Sequence, residues 1–183
     1  MNVQSTHLPG VVLLTPRVHR DVRGAFAEAW NARTFADAGL DVRWVQDNVA
    51  ESTQGVLRGL HCQGQQVQAK LVHCLHGEVF DVVVDLRANS ATFGQWVGAR
   101  LSARLHQALW VPEGFAHGYY VLSPQAVIHY KVTDYYAPAH ERILRWDDPD
   151  VGIEWPLVGG APPMLSERDQ HGVSLREARG WFR

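Results

Sequence analysis

Almost everything that would mark a chain for the membrane, the exterior or a nucleic acid is scarce here. Two cysteines, Cys62 and Cys74, are too few for a disulfide framework. No apolar run approaches the roughly 20 residues that cross a bilayer. Residues 1–10 lack the basic-then-apolar order of a secretory signal. Charge of one sign is missing too: 17 Lys and Arg against 19 Asp and Glu leave a net charge of −2, without the basic field that polyanion binders use. These absences argue against nucleic acid and membrane as partners and make the cytoplasm the expected compartment. Repeats, low-complexity tracts and linkers are absent as well. The 183 residues, 46% hydrophobic, are therefore read as one domain over 1–183 with one sizeable core.

What the sequence does contain is short β-prone runs punctuated by glycine and proline. Residues 10–16 read as a first strand ending at Pro16, and Asp21-Val22-Arg23-Gly24 as a turn. Residues 25–38 begin strand-like and continue with a helical spacing of Trp30, Phe35 and Ala36 that Asn31 is suited to cap. Residues 42–48 read as strand and 49–55 as a polar loop. In residues 78–87, Phe80, Val82, Val84 and Leu86 share one face, Asp81 and Asp85 the other. Further strands are expected at 93–101, 107–111 and 125–133, with a short helix near 174–182. The pattern is that of an all-β sandwich or jelly roll with a few short helices.

The chemistry gathers around Gly55-Val56-Leu57-Arg58-Gly59-Leu60-His61-Cys62-Gln63. Strict alternation puts Leu57, Gly59, His61 and Gln63 on one face and Arg58, Leu60 and Cys62 on the other, so Cys62 turns away from His61. Lys70 follows inside an apolar run, where an ammonium is costly unless it has a partner. Gly55, His61 and Gly77 resemble the first half of the cupin signature, and Pro112-Glu113-Gly114-Phe115-Ala116-His117 the core of its second half. Metal-binding cupins place a second histidine and a glutamate where this chain has Gln63 and Lys70. A neutral amide and an ammonium make a poor ligand set beside His61 and His117, so no metal is expected.

Seven blocks carry a closer resemblance: Val45-Gln46-Asp47-Asn48, Leu57-Arg58-Gly59-Leu60-His61, Gln68-Ala69-Lys70-Leu71-Val72, Gly77-Glu78-Val79-Phe80-Asp81, residues 112–118, Tyr130-Lys131-Val132-Thr133-Asp134-Tyr135-Tyr136 and Leu165-Ser166-Glu167-Arg168-Asp169. In order and spacing they resemble the dTDP-4-dehydrorhamnose 3,5-epimerase family. That resemblance implies a cupin jelly roll, a homodimer with exchanged strands, and action on dTDP-4-dehydro-6-deoxyglucose without a metal or other cofactor.

An epimerisation beside a ketone needs a base on one ring face, an acid on the other, and positive charge near the enolate oxygen. By resemblance His61 is the base, oriented by Asp169, Tyr130 is the acid and Lys70 stabilises the enolate. Taken alone, Asp169 is only an acid in a turn, and its role depends wholly on the resemblance. Arg23, Arg58 and His117 are implied for phosphate and sugar. Glu28, Gln46, Asp47, Asn48, Glu141 and Arg168 are implied for nucleotide and sugar, and Tyr136 for stacking on the base, although Tyr135-Tyr136 suits sandwich packing equally well. Two departures border this site: Val49 and Ala50 replace the family's usual histidine and serine, and Arg168 its lysine.

Three classes of function remain open on these residues. They are a nucleotide-sugar epimerase acting on one carbon or two, a metal-dependent cupin enzyme, and a non-catalytic sugar-binding jelly roll. Because Gln63 and Lys70 stand at ligand positions, turnover of the 4-keto sugar nucleotide is expected to survive prolonged chelation. Near-stoichiometric iron, nickel or zinc, with turnover lost on chelation, would give the protein to the metal class instead.

Overall fold

The computed structural model describes residues 1–182, leaving out only Arg183. The strands are β1 (Asn2–Ser5), β2 (Val12–Thr15), β3 (Val18–Asp21), β4 (Gly24–Ala27), β5 (Gln46–Thr53), β6 (Leu57–Gln63), β7 (Lys70–His76), β8 (Glu78–Asp85), β9 (Trp96–Ser102), β10 (Ala108–Val111), β11 (Phe115–Val121), β12 (Gln125–Val132) and β13 (Glu141–Ile143). Two short helices, α1 (Ala32–Asp37) and α2 (Leu175–Ala178), accompany them. Both have the caps their sequence calls for: Asn31 accepts from Arg33 N and Thr34 N, and Ser174 and Glu177 form a reciprocal capping box.

The strands assemble into a six-stranded sheet, β1-β2-β10-β7-β12-β5, facing a five-stranded sheet, β13-β6-β11-β8-β9, with β3-β4 as a separate hairpin. All of these pairings are antiparallel and most join strands distant in sequence, which is a jelly roll. Val72 and Ile128 of one sheet meet Val79, Val83 and Val121 of the other to fill the interior. Each such side chain contributes about 1.5–3 kcal/mol by leaving water. The outer face of the five-stranded sheet, with Leu60, Cys62, Val82 and Val84, is covered by the C-terminal segment through Trp155, Leu175 and Ala178. Phe35 of α1 and residues 40, 42 and 44 cover part of the other sheet's outer face over Leu71 and Trp110.

The structure corrects several sequence expectations. The strand expected at 42–48 begins at Gln46 and runs on to Thr53, through the stretch read as a loop. Strand β5 is an edge that pairs with β12 alone, from Gln46↔Val132 to Thr53↔Gln125. Its residues alternate between half-buried and exposed, yet neither face is apolar, so hydrophobic alternation gives no signal. Strand β11 was not anticipated because it is buried at every position and has no period of its own. The exposed β1 and the three-residue β13 carry no apolar alternation to mark them, and β9 starts at Trp96, with Phe93 in the preceding turn.

Two features fix the strands that carry the site. At Gly59 (φ +131°) an added Cβ would lie 2.6 Å from Gly118 Cα, so β6 and β11 approach as only glycines allow. The start of β11 is held by Asp85, whose buried carboxylate accepts from Arg87 Nε (2.9 Å), Ser90 Oγ (2.6 Å) and Thr92 Oγ1 (2.6 Å). The Arg87 guanidinium in turn lies 4.4 Å over the Phe115 ring. Burial raises the Asp85 pKa, but the arginine and the two hydroxyls outweigh it and hold the carboxyl at about 2. A pKa depressed in the folded state stabilises above the unfolded value near 4 and is lost as pH falls toward 2. Asp85→Asn is expected to cost about 2 kcal/mol at pH 7 in urea titrations, with the gap to wild type closing below pH ~4. A gap independent of pH would mean that packing, not charge, is responsible.

Candidate active site

Eight polar or charged side chains are buried among the described residues, and five of them belong to one cavity or its immediate backing: Gln63, Lys70, Asp81, His117 and Asp169. The cavity, about 350 Å³, opens between the two sheets. From the five-stranded sheet β6 supplies Arg58, His61 and Gln63, and β11 supplies His117 and Tyr119. From the six-stranded sheet β7 supplies Lys70, β12 Tyr130, and β5 Gln46, Asn48 and Ala50. Tyr136, Glu141 and Arg168 line it further along.

The expected opposition of Arg58 and His61 is wrong. Strict alternation fails because the β6–β11 register shifts: His117 pairs with His61, but Tyr119, two residues on, pairs with Arg58, three residues back. The additional residue in β6 is a bulge, and it turns Arg58 to the cavity beside His61. Beyond the bulge alternation resumes. Cys62 is buried with Leu60 and Val82, its Sγ 3.8 Å from Arg142 O.

His61, Asp169, His117, Asp81 and Lys70 all have partners within the site. His61 Nε2 lies 2.6 Å from Asp169 Oδ1, and the neighbouring 3₁₀ turn (Asp169–His171) is supplied by the chain 108 residues later. Burial raises the Asp169 pKa, but the His61 contact, with help from Ser166, holds the carboxyl below its usual range. His117 Nε2 lies 2.9 Å from Asp81 Oδ1. Burial pushes the His117 imidazole pKa down against the pull of that carboxylate. Lys70 Nζ donates to the His61 carbonyl at 3.1 Å across the sheets, and burial lowers its pKa. Burial also raises the pKa of the Tyr130 phenol, keeping it protonated near neutrality.

Nearer the mouth the polar groups brace one another. Arg168 Nη1 donates to Glu141 Oε2 (2.6 Å) and Tyr136 Oη (3.3 Å), while Gln46 Nε2 donates to Asn48 Oδ1 (2.8 Å). Tyr135 and Tyr136 are well exposed, so they do not pack the sandwich. Gln63 is buried but occupied: its amide donates to Gln66 O and Tyr135 O and accepts from Ala137 N. Among the described residues no group of three or more His, Cys, Asp or Glu side chains is placed to hold a metal ion.

Three implied residues lie outside this cavity. Asp47 points to the outer face, where it pairs with Lys131 (2.8 Å) and His129 (3.3 Å), because alternation along β5 turns it opposite to Gln46 and Asn48. Arg23 sits on the turn of the β3–β4 hairpin beside Asp21, and Glu28 accepts from Asn31 at the start of α1. The sequence reading left Asp81 and Tyr119 without a role. An aspartate on the inward face of an apolar strand was the available signal for the first. Tyr119, in a strand with no period, offered none.

Burial pushes the Cys62 thiol up to about 12 and Cys74 up to about 11, so neither is a thiolate near neutrality. Native protein at pH 8 is expected to react with a thiol reagent only as it unfolds, and Cys62→Ala to keep most turnover. Prompt labelling of Cys62, or an inactive but folded alanine variant, would contradict the strand geometry.

Residues 5–177 match the family model described as dTDP-4-dehydrorhamnose 3,5-epimerase. The chain is 53% identical over 172 residues to the dTDP-4-dehydrorhamnose 3,5-epimerase of Pseudomonas aeruginosa, covering 93% of this chain and 94% of that one. Its structure superposes with a TM-score of 0.92 on the dTDP-6-deoxy-D-glucose-3,5-epimerase of Legionella pneumophila in complex with dTDP-4-keto-L-rhamnose, at 46% identity and covering 96% and 93% of the two chains. A 3'-monoepimerase from Streptomyces bikiniensis in complex with dTDP-quinovose matches at TM-score 0.89 and 35% identity, covering 96% and 88%. The chain belongs to the dTDP-4-dehydrorhamnose 3,5-epimerase family.

Proposed function

We propose that this protein epimerises a dTDP-linked 4-dehydro-6-deoxyhexose at carbons 3 and 5, converting dTDP-4-dehydro-6-deoxyglucose to dTDP-4-dehydrorhamnose without a metal. The observation that carries the reading is that His61 comes from one sheet and Tyr130 from the other, on two walls of a single cavity. Facing sheets lie ~10 Å apart, a gap that a hexose ring fills with a proton acceptor on one side and a donor on the other.

His61 takes the proton beside the ketone. Asp169 holds its Nε2, which leaves Nδ1 as the accepting nitrogen, and the carboxylate stabilises the imidazolium that forms. Lys70 sits against the enolate oxygen and offsets its charge. Tyr130 returns a proton from the opposite wall, and its phenol is in the right form because burial keeps it protonated. Arg58 and His117 hold phosphate and sugar, while Gln46, Asn48, Tyr136, Glu141 and Arg168 hold the nucleotide end. A second reading, epimerisation at one carbon, is favoured by the likeness to the 3'-monoepimerase.

One cytoplasmic domain, with both cysteines free, acts in this reading as a homodimer with exchanged strands. The outer face of the six-stranded sheet leaves Val49 and Leu75 exposed, with Val49 paired to His129 and His129 to His73, whose buried Nδ1 has no partner among the described residues. The β3–β4 hairpin exposes Val22 and Phe26 and carries Arg23 away from its own cavity. A second copy seated on the face and exchanging β-structure covers these groups and brings Arg23 and Glu28 to a substrate. Val49→Lys with Leu75→Glu is expected to sediment as a monomer where wild type is a dimer, and a monomeric wild type would remove this part of the reading.

Incubation with dTDP-4-dehydro-6-deoxyglucose in deuterated water, followed by NMR, reports which carbons exchange. His61→Ala is expected to lose both epimerisation and exchange by at least ~10²-fold. Tyr130→Phe is expected to lose inversion but keep some exchange, because an enolate without its acid partner is still reprotonated by the base, which trades its proton with solvent. The reverse pattern would exchange the two assignments, and small equal losses would mean that neither residue carries the chemistry.

A further inference from the structure

Gln63 stands where a metal-binding cupin carries a ligand, and the proton-transfer chemistry leaves it without a role. It is 4% exposed at the end of β6, two residues beyond His61, in the wall of the cavity. Its Nε2 donates to Gln66 O (2.6 Å) and Tyr135 O (3.2 Å), and its Oε1 accepts from Ala137 N (2.8 Å). Only this orientation of the amide fits, since the flipped one sets an oxygen against two carbonyls. Gln63 therefore holds the chain on both sides of Tyr136.

Residues 135–137 belong to no helix or strand, and glutamine side chains take the place of a backbone ladder there. Gln46 Oε1 accepts from Tyr136 N (3.0 Å), and Gln68 Nε2 donates to Asp134 O (2.7 Å). The peptide group before Tyr136 is thus held at its carbonyl by Gln63 and at its N–H by Gln46. The peptide group after it is held at its N–H, again by Gln63. Because each peptide group is planar, fixing the two that flank a residue fixes its φ and ψ, and with them the direction of its side chain. The Tyr136 ring is 46% exposed and has little packing to orient it otherwise.

We propose that Gln63 is a positioning residue: through the two peptide groups that flank Tyr136 it holds that ring at the cavity mouth in the orientation that receives the nucleotide. The inference rests on the epimerase reading, in which Tyr136 holds the nucleotide end, and names what orders that wall before the ligand arrives. A segment already ordered in the empty protein gives up little freedom on binding, which favours affinity.

Gln63→Met keeps the length of the side chain and removes its hydrogen bonds. Calorimetry with dTDP is expected to show a ~10-fold loss of affinity, and kinetics with dTDP-4-dehydro-6-deoxyglucose a similar rise in KM with kcat little changed. A cycle with Tyr136→Leu separates positioning from general damage to the wall. In that background Gln63→Met is expected to change dTDP affinity by less than ~2-fold, because the ring through which Gln63 acts is gone. An equal loss in both backgrounds overturns the proposal, as does unchanged affinity in the single variant. Gln63→Glu adds a pH signature. Its carboxylate still accepts from Ala137 N but faces two carbonyls, which together with burial raises its pKa, and protonation returns a donor. Relative to wild type at the same pH, its dTDP affinity is expected to be weak at pH 8 and to recover toward pH 5, and a ratio independent of pH overturns the proposal. If Gln63→Met does not fold, Gln68→Met, which removes one bond at the edge of the segment, takes its place in the cycle under the same criteria. A wild type that binds dTDP but does not turn over the sugar removes the epimerase reading, and the dTDP measurements then judge Gln63. One that binds no dTDP removes both.

Discussion

The hydrogen bond from Lys70 Nζ to the carbonyl of His61 joins the two sheets inside the sandwich, and the site depends on it. Moving an ammonium out of water costs several kcal/mol even after relaxation. The surrounding carboxylates compensate it: Asp81 and Glu141 are among the charges that oppose the burial of Lys70. Asp81 is also the partner of His117, so one carboxylate offsets the burial of both the ammonium and the imidazole, while Lys70 itself works against a charged His117. Deleting that carboxylate leaves an unbalanced charge in a low-dielectric interior, which is more damaging than the loss of a single contact.

The sequence revealed the parts of the site that interrupt apolar strands. Lys70 was conspicuous because an ammonium interrupts an apolar run, and His61 because it shares a strand face with Gln63, whereas Tyr130 read equally well as a core aromatic and took its role from the family resemblance; the cavity gathers all three. Asp169 was not visible in this way. It sits on an irregular segment whose position is set by tertiary contacts, including the bridges Val56↔Met164 and Leu144↔Val173, and no local pattern encodes those. Arg58 was misplaced for a different reason: a single bulge reverses the faces that alternation assigns, and a bulge leaves little trace in composition. The fold class was legible from strand punctuation, while β5 was not, because an edge strand that walls a polar cavity has no apolar side to announce it.

The two histidines occupy paired positions on adjacent strands, each backed by a carboxylate, yet their surroundings differ. His117 is almost wholly enclosed and its carboxylate comes from the neighbouring strand β8. His61 is partly open to the cavity, with its carboxylate arriving from outside the sheet. A ring held by strand geometry on both sides is suited to fixing a ligand, whereas one with a free edge toward the cavity is suited to receiving a proton.

The distance along the chain between His61 and Asp169 also bears on biosynthesis. Strand β6 emerges early, but its histidine has no carboxylate until the segment beyond residue 165 has been made and Asp169 has reached His61 and the Gly59 backbone. A nascent or prematurely terminated chain that already contains His61, Lys70 and Tyr130 therefore lacks the carboxylate that the proposed mechanism uses to orient the base. The pair exists only where the C-terminal segment has docked against β6, so in the proposed mechanism a chain without that segment holds no oriented base.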